Sequence, residues 1–543
     1  MPVAVSYPGV YVEEVPSGVH TIAGVATSIA AFIGRAVMGP VGQPVAINSF
    51  ADFERSFGGL DVDCPMTYAV SGFYQNGGSK AVIIRLYKQD GDKTTKATIR
   101  IPGKDQTKPL VLEARTEGAW GNMLRARVDY QVSDEVAQKY GLTKDDLFNL
   151  TVRNMPNGPQ ESFLNVTIKE SPRRLDSLLA TESALVEVPD VANMGFPGAH
   201  TDPDPGKSVW DDTADPAKAT STKVVLGGAD EAADSVTLTD KADFTGSENG
   251  KTGMYALQKV DLFNLLCIPP DTRHGDTPKE VYQEALAFCV KRRAMLIVDA
   301  PVGWKDANDI TANNNKKLAD LGINDENARN AALYFPRVTA ADPLRGSQLD
   351  TFVSCGMVAG VIARTDARHG VWKAPAGIDA ALSGIVGLAA SLTDAQNGML
   401  NSLGINCLRS FPQTGPVVWG ARTLRGADLL ADEYKYIPVR RLALFIEESL
   451  YRGTRWVVFE PNDEPLWSQV RLNVGAFMHN LFRQGAFQGQ TPDKAYVVKC
   501  DKDTTTQNDI NLGIVNIVAG FAPLKPAEFV VINIQQSADD PVP

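Results

Sequence analysis

A glycine-flanked loop at residues 246–252, with the sequence Gly-Ser-Glu-Asn-Gly-Lys-Thr, carries the residue types that can cradle a nucleotide phosphate. In such a loop, successive backbone N–H groups wrap the phosphates, and a lysine and a hydroxyl complete the site. The spacing here is one residue short, because three residues separate the glycines where four are needed. Thr245 stands where the first glycine should be, and the preceding residues are too polar for the buried strand that feeds such a loop. A P-loop-like α/β nucleotide-binding enzyme is therefore kept as an alternative hypothesis.

Other residues with reactive side chains lack the neighbours that catalysis requires. Ser354 has no glycine at the position that a nucleophile elbow needs, and it lies in a helix-like run. The five histidines are far apart and show no metal-ligand spacing. Asp271, Arg273 and His274 follow a predicted parallel strand, where α/β enzymes often bind ligands, but without an obvious catalytic partner a loop of solvated charges is favoured. We therefore predict no enzyme activity and no catalytic, cofactor-binding or metal-binding residue.

The composition is that of a globular protein with an acidic balance. The chain has 543 residues, 44% of them hydrophobic, and a net charge of −11 without a basic stripe, which argues against contact with nucleic acid. The six cysteines are far apart and mostly lie in apolar runs, so free core thiols are expected. The first residues show no leader pattern, and no apolar run reaches the roughly 18 residues of a membrane span. We expect no membrane insertion and folding in a cytosol.

The elements that would position these residues form several units. Beyond residue 257, buried strands alternate with helices such as the one predicted at residues 278–292, a pattern typical of a parallel α/β sheet. Strands of this sheet are predicted at residues 260–268, 294–298 and 331–335. An apolar helix is expected at residues 346–363. The last unit is expected to contain two helices, at residues 439–451 and 465–482, the first opened by Pro438 and closed by Gly453.

The predicted fold class is α/β and α+β multidomain. It comprises an α/β core domain, an inserted β-rich domain, a C-terminal α+β domain and extended strand arms at both ends. The predicted units are residues 1–25 for the N-terminal arm, 26–87 and 251–405 for the core, 88–250 for the insert, 406–522 for the C-terminal domain and 523–543 for the C-terminal arm.

Both ends of the chain have the pattern of strands that lie outside any compact body, at residues 9–15 and 528–536. In the second segment the side chains alternate between two faces. One face carries Val530, Ile532 and Ile534, and the other carries Phe529, Val531 and Asn533. An unpaired strand with this much apolar surface pairs readily with another chain. The two ends therefore predict an assembly subunit.

The helix at residues 465–482 has a locally basic character. No acidic residue occurs between residues 466 and 485, whereas Arg471, His479 and Arg483 do. Such a helix could face an acidic partner, or it could be a core helix with solvated arginines. The sequence pattern leaves both interpretations open.

Several segments together resemble the contractile tail sheath proteins of bacteriophages and related contractile injection systems. They are the opening Ser6-Tyr7-Pro8-Gly9-Val10-Tyr11, Asn76-Gly77-Gly78, the loop at residues 118–122, Gly370-Val371-Trp372-Lys373-Ala374-Pro375-Ala376-Gly377, Gly420-Ala421-Arg422-Thr423-Leu424, residues 436–488, and Pro523-Leu524-Lys525-Pro526-Ala527-Glu528. The resemblance follows the family order along nearly the whole chain and is weakest between residues 88 and 250.

The resemblance implies a structural subunit that polymerises by interchain strand exchange around an inner tail tube. The sheath would contract and drive the tube through a target cell envelope, with the insert outermost and the C-terminal domain innermost. The implied partners are further copies of the chain, the tail tube protein, and baseplate and tail terminator proteins, with no cofactor. The subunit would be made and assembled in the bacterial host cytoplasm and become part of a virion tail or an extracellular contractile particle. A static strand-exchanged shell is the second alternative.

The resemblance also implies roles for individual residues. The donor strands would contain Gly9, Val10, Tyr11, Val12 and Glu13 at the start, and Phe529, Val530, Val531, Ile532, Asn533 and Ile534 at the end. The acceptor strands would contain Trp456, Val457 and Val458, and Tyr496, Val497 and Val498. The helix with Arg471, His479 and Arg483 would contact the tube.

Overall fold

The computed structural model describes residues 20–104 and 108–531. The predicted donor residues Gly9, Val10, Tyr11, Val12 and Glu13 lie outside the described residues, as do Ile532, Asn533 and Ile534.

The strands and helices of the described residues are numbered in chain order. The strands are β1 (Ala30–Gly34), β2 (Val45–Ile47), β3 (Ala81–Arg85), β4 (Thr98–Ile101), β5 (Leu110–Ala114), β6 (Leu124–Asp129), β7 (Phe148–Asn154), β8 (Gln160–Val166), β9 (Val186–Glu187), β10 (Thr222–Lys223), β11 (Leu265–Cys267), β12 (Met295–Asp299), β13 (Ala331–Phe335), β14 (Val338–Asp342), β15 (Gln348–Phe352), β16 (Gly387–Leu388), β17 (Ile405–Phe411), β18 (Gly415–Val418), β19 (Tyr496–Lys499) and β20 (Val518–Phe521). The α-helices are α1 (Phe50–Phe57), α2 (Pro65–Gln75), α3 (Asp134–Lys139), α4 (Leu175–Glu182), α5 (Lys241–Thr245), α6 (Lys279–Lys291), α7 (Ala307–Ala319), α8 (Cys355–His369), α9 (Asp394–Ser402), α10 (Ile437–Gly453), α11 (Glu464–Arg483), α12 (Pro492–Ala495) and α13 (Gln507–Asn511).

An eight-stranded sheet forms the centre of the protein, with the order β18-β17-β13-β12-β11-β1-β3-β2. The six inner strands run parallel, and the two edge strands, β2 and β18, run antiparallel to their neighbours. Each of these inner strands is a nearly continuous apolar run because helices cover both faces of the sheet. The mixed α/β class predicted from the sequence is thereby confirmed.

Successive side chains of the inner strands enter two different cores. In β1, Ala31 and Ile33 face the core formed with α6, α7 and α9, whereas Ala30 and Phe32 face the core formed with α1, α2, α8 and α10. The sheet also includes β17 and β18, so the boundary predicted after residue 405 falls at the start of a core strand.

The stretch between β3 and β11 holds two further antiparallel sheets. One has the order β4-β5-β9 and the other the order β10-β6-β7-β8. Their inner faces share one apolar core, which includes Leu112, Val128 and Phe148. The β-rich character predicted for this stretch agrees with these strands.

Residues 346–363, predicted as one helix, form a strand and a helix instead. β15 pairs antiparallel with β14, and α8 begins at Cys355. The hairpin is fixed by Asp350, whose carboxylate accepts a hydrogen bond from Arg273 at 3.0 Å. This long-range contact, which periodicity does not show, overrides the local helical pattern.

The last part of the chain forms a fourth core from α10, α11 and the small sheet of β19 and β20. The two long helices extend slightly beyond their predicted bounds. None of the helices within the described residues has the length and apolar character needed to cross a membrane.

Candidate assembly site

The C-terminal arm leaves the body of the protein at an ion pair between Arg422 and Glu528, whose side chains are 0% and 15% exposed. The Nε and Nη2 atoms of Arg422 donate to the two carboxylate oxygens of Glu528 at 2.8 and 2.6 Å. The Tyr436 hydroxyl donates to the same carboxylate at 3.2 Å. Bidentate pairs of this kind fix direction as well as distance. We call Arg422, Glu528 and Tyr436 the arm clamp.

The remaining donors of Arg422 hold the surrounding loops. Its Nη1 atom donates to the carbonyl oxygens of Asn401 and Gly426 at 2.8 and 3.2 Å, and to Asp428 at 2.9 Å. A hydrogen bond from Lys435 lowers the pKa of Asp428 although partial burial opposes it, and the Arg422 charge adds to the lowering. Burial alone would lower the pKa of Arg422, but the Glu528 carboxylate raises it above its usual value. Two cations thus face two carboxylates, and removal of the Glu528 carboxylate leaves the buried charge of Arg422 with Asp428 as its remaining anionic partner.

Beyond Glu528 the side chains of the arm are largely exposed. Phe529, Val530 and Val531 are 76%, 81% and 80% exposed and lie in no strand of the described residues. Each such side chain forgoes about 1.5–3 kcal/mol of burial free energy. The arm clamp therefore marks the point where the docked chain ends and a segment that needs a partner begins.

The sheet of β19 and β20 has the features of an acceptor. The two strands pair antiparallel, with Tyr496 opposite Phe521, and Val497 and Val518 are 44% and 47% exposed. Among the described residues no further strand joins this sheet, and an isolated bridge at Pro523 is the contact next to it. A two-stranded sheet in water is marginally stable, and its outer edges present unpaired backbone groups. Tyr496, Val497 and Val498 do form the predicted strand, while its pairing with a neighbouring copy stays a prediction.

The other predicted acceptor strand is wrong. Trp456, Val457 and Val458 follow α10 in a tight turn, and Arg455–Val457 is a 3-10 helix. The N–H groups of Val457 and Val458 donate to carbonyl oxygens three residues earlier, so they are not available for a strand ladder. A short apolar run is compatible with either a strand or a turn of helix, and periodicity alone does not separate the two.

Trp456 nevertheless lies where the N-terminal arm meets the body. The His20 ring stacks on the Trp456 ring, with centroids 4.1 Å apart. Ile22 packs into the same core, and the Val25 N–H donates to the Ser449 hydroxyl at 3.2 Å. With increasing residue number, the first described residues therefore run along α10 from its C-terminal end towards its N-terminal end.

The predicted tube-contact residues lie on α11, but they differ in the hydrogen bonds and ion pairs that their side chains form within the chain. Arg471 donates to Glu464 at 2.5 Å and to the Cys500 carbonyl, and the Glu464 hydrogen bond raises the pKa of Arg471. The His479 ring is 3.2 Å from the Tyr496 hydroxyl. Arg483 is exposed and forms no ion pair with a described residue. The unpaired positive charge of this helix is thus smaller than the sequence indicated.

The loop at residues 246–252 does not have the geometry of a phosphate-binding loop. It follows the short helix α5 rather than a strand. The Ser247 N–H donates to the Thr252 hydroxyl, and the Gly250 N–H donates to the Ser247 hydroxyl, at 3.0 and 3.2 Å. Amide groups that would wrap a phosphate are already bonded inside the loop, which contradicts the P-loop alternative.

The charges after β11 form a buried network rather than a solvated loop. Arg273 donates to Asp342 at 2.5 Å, and its guanidinium lies 4.8 Å from the ring centroids of both Tyr68 and Phe352. Asp271 accepts a hydrogen bond from Arg35 at 2.7 Å, in the crevice where the strand order reverses between β11 and β1. The network joins loops at the carboxyl edge of the sheet.

His274 and Ser354, the other candidates from the sequence, are not brought together. His274 is exposed, with its side chain 64% accessible, whereas Ser354 is buried and its N–H donates to Asp299. Ser354 is therefore the N-cap residue of α8 and is held there through its backbone N–H.

Two family models match consecutive parts of the chain. The model of the phage tail sheath protein central domain matches residues 246–424, and the model of the phage tail sheath C-terminal domain matches residues 431–537. Together they cover more than half of the chain. The chain belongs to the phage tail sheath family. This confirms the resemblance inferred from the sequence.

Individual relatives are distant. The chain is 26% identical over 186 residues to a tail sheath protein of Vibrio phage KVP40. This alignment covers 34% of this chain and 26% of that protein. It is 23% identical over 278 residues to a tail sheath protein of Enterobacteria phage T4. This second alignment covers 49% of this chain and 39% of that protein. The chain thus spans well under half the length of these two curated relatives.

A solved structure supports the fold over nearly the full length. The PVC sheath complex of an extracellular contractile injection system, in its contracted state, aligns with a TM-score of 0.55 and 20% identity. The alignment covers 98% of both chains. At this identity the likeness concerns the fold alone.

The arm clamp is the feature that sequence reasoning missed. Both partners lay in segments that resemble the family, but they are 106 residues apart. The sequence shows Arg422 between two small residues and Glu528 as a lone acid in an apolar arm. Neither of these features indicates that the other residue is its partner.

Proposed function

We propose that the protein is a sheath subunit that polymerises by interchain strand exchange around an inner tail tube and contracts to drive the tube through a target cell envelope. Family membership supports the sheath assignment. The observation that carries the mechanism is the exposed apolar segment at Phe529, Val530 and Val531, held at one end by the arm clamp. A segment so anchored can reach a second copy without detaching from its own body.

In this mechanism each copy is both donor and acceptor. Phe529 to Ile534 form one donor strand, and Gly9 to Glu13 form the other. The free edges of β19 and β20 receive them in a neighbouring copy. The arrangement is heterologous, so it extends into rings or helical rows rather than closing as a dimer.

The strength of one junction can be estimated from its hydrogen bonds. A donor strand of about six residues forms about four to six interchain hydrogen bonds, each worth about 0.5–1.5 kcal/mol net. One junction therefore contributes several kcal/mol before the apolar side chains are buried. Hundreds of such junctions keep the lattice connected while the bodies rotate and slide, and newly buried surface between the bodies drives the shortening.

The units of the chain have different positions in this assembly. We assign the core to residues 26–87 and 251 to about 424, because β17 and β18 belong to its sheet. Residues 88–250 form the outer insert, and residues from about 431 to 522 form the inner domain whose α11 faces the tube. The arms are residues 1–25 and 523–543.

The partners of this assembly are further copies of the chain, the tail tube protein, and the baseplate and terminator proteins at its ends. Contraction in this scheme needs no nucleotide, since the energy is stored in the extended lattice. The protein is assembled in the bacterial host cytoplasm, without membrane insertion or nucleic-acid contact, and functions in a virion tail or extracellular particle.

A truncation placed by the structure tests the donor role. Deleting residues 529–543 removes the exposed strand and keeps Glu528 in the arm clamp, so the truncated chain should fold and stay soluble but fail to polymerise. A chain that keeps residues 529–536 and lacks only residues 537–543 retains the donor strand, so as the matched control it should still polymerise, although at a higher protein concentration than the wild type. Sedimentation and negative-stain micrographs measure both.

Two results would contradict the proposal. Tubes of normal length formed by the chain that lacks residues 529–543 would exclude the donor strand. Particles that show a single lattice under every trigger, without a long narrow and a short wide form, would favour a static shell.

A further inference from the structure

A wide groove runs beside the base of the C-terminal arm. It has a volume of about 840 Å³ and lies between residues 372–377, residues 419–421 and the arm residues 524–530. Trp372 and Trp419 are half-buried in its walls. The groove is thus large enough for an extended peptide, and its walls offer two aromatic faces.

The groove carries positive charge that nothing in the described chain neutralises. Lys373 and Lys525 line it, are exposed and form no ion pair with a described residue. His369 also lines it, and Arg368 lies in the adjoining pocket together with Arg364. The acidic side chains that face this region are Glu528, which is engaged by Arg422, and Asp379 in the adjoining pocket. In a protein of net charge −11, this is a local excess of cations.

One segment of the chain has the complementary chemistry. The last seven residues, Ser537-Ala538-Asp539-Asp540-Pro541-Val542-Pro543, carry two acids and no cation, followed by two prolines. Prolines favour an extended helix with three residues per turn, in which they pack against aromatic side chains. Neighbouring residues then point about 120° apart, so Asp539 and Asp540 can both reach lysines on the walls of one groove.

The N-terminal arm is a poorer match. Its adjacent acids, Glu13 and Glu14, lie in a predicted strand, and successive side chains of a strand point to opposite faces. Only one of the two could therefore face the groove.

We propose that this groove binds the acidic, proline-containing segment 537–543 of a second copy of the chain. The occupant comes from another copy because the donor strand intervenes. Residues 529–536, extended at about 3.3 Å per residue, carry Asp539 more than about 25 Å from the arm clamp of its own chain. The proposal rests on the strand exchange proposed above, and it adds a second contact that locks the end of each donated arm.

Charge reversal in the full-length chain tests the pairing. The first variant combines Lys373→Glu with Lys525→Glu, the second combines Asp539→Lys with Asp540→Lys, and the third carries all four changes. Each of the first two should raise the concentration at which half of the protein sediments as polymer by about tenfold, since two attractive contacts become repulsive. The third should return to within about twofold of the wild type. Lys207→Glu with Lys218→Glu, on the exposed surface of the insert, alters net charge by the same amount as the first variant and should have no effect.

Cross-linking identifies the copy that supplies the segment. The six native cysteines are all buried, so Lys373→Cys in one preparation and Val542→Cys in another each introduce one thiol that is not part of the core. Mixed and oxidised during assembly, the two chains should yield a disulfide-linked dimer. Closure within one chain carrying both changes, without dimer, would overturn the proposal in favour of a tail folded back on its own body. A dimer formed instead with Val15→Cys would also overturn it.

The two proposals fail in different ways. If both double variants polymerise at the same protein concentration as the wild type, the groove contact is overturned and strand exchange is left intact. A wild-type chain that never polymerises would overturn both.

Discussion

The arm clamp makes a quantitative prediction about stability. The change is Glu528→Ala, which removes both carboxylate oxygens that Arg422 contacts at 2.8 and 2.6 Å. The guanidinium, 0% exposed, cannot recover these bonds from water without opening the loops around it. We therefore expect the region at residues 420–428 to open locally far more often than in the wild type.

The size of the effect follows from the burial of the pair. Removing one partner of a buried ion pair destabilises by about 3–5 kcal/mol. Arg422 keeps Asp428 at 2.9 Å, and Glu528 is 15% exposed, so the lower end of this range applies. A loss of about 3 kcal/mol corresponds to a fall of about two orders of magnitude in protection against amide exchange, at 1.36 kcal/mol per factor of ten.

Hydrogen exchange is the appropriate assay, because a chain with several cores does not unfold in one step. The informative amides are those of Arg422 and Thr423, which donate to Asn406 at 2.7 Å and to Lys435 at 2.9 Å. Phe529→Ser, one residue further along and exposed, is the matched control and should leave their protection unchanged.

A second control separates charge from packing. Glu528→Gln keeps the length of the side chain and one oxygen acceptor for Arg422 but removes the negative charge, so its protection should lie between that of Glu528→Ala and that of the wild type. Protection in Glu528→Ala within twofold of the wild type would refute the clamp as a stabilising anchor.

Two further predictions concern the insert and the tube. Acid should loosen the insert, because Nδ1 of His200 accepts the Val128 N–H at 2.9 Å, and burial lowers the pKa of His200 to about 4. The folded-state pKa lies below the unfolded value of about 6.5, so this stability is complete above pH 6.5 and is lost as the pH falls towards 4. The rate of amide exchange in β6 should rise as the pH falls through that window, and in His200→Asn it should not depend on pH there. A wild-type profile without this rise would contradict the role given to His200. Arg483→Glu should weaken cosedimentation with tail tubes and spare free sheath polymers, since Arg483 is the unpaired arginine of α11; unchanged tube affinity would count against the role of this helix.

The part of the fold that the sequence predicts well is the buried sheet and its helices. β13 occupies the predicted residues 331–335, because four of its five side chains are apolar, the fifth is the tyrosine ring of Tyr334, and all five are buried. α6 lies within one residue of its predicted bounds at both ends. The start of α10 was predicted from Pro438 and its end from Gly453, both of which lie within the helix.

The errors arise where a long-range contact or a short run decides the structure. The apolar run Trp456, Val457 and Val458 suits a strand, yet the N–H groups of Val457 and Val458 form hydrogen bonds within a turn. The sequence does not show that the charge of Arg471 is paired, because its partner Glu464 lies about two helical turns earlier, just before the acid-free stretch that begins at residue 466. The candidate assembly site was predictable as exposed arms but not as a clamp, because the closure of Arg422 on Glu528 depends on how the domains fold together.

The central claim is that residues 529–536 leave their own body and pair with another copy. Cryo-electron microscopy of the assembled polymer, at a resolution that traces the chain from Glu528 onward, tests it directly. We predict that this segment lies as an added strand on β19 or β20 of an adjacent copy, with the Arg422–Glu528 pair intact at its base. A map in which the segment returns to the β19–β20 sheet of its own chain would contradict the account.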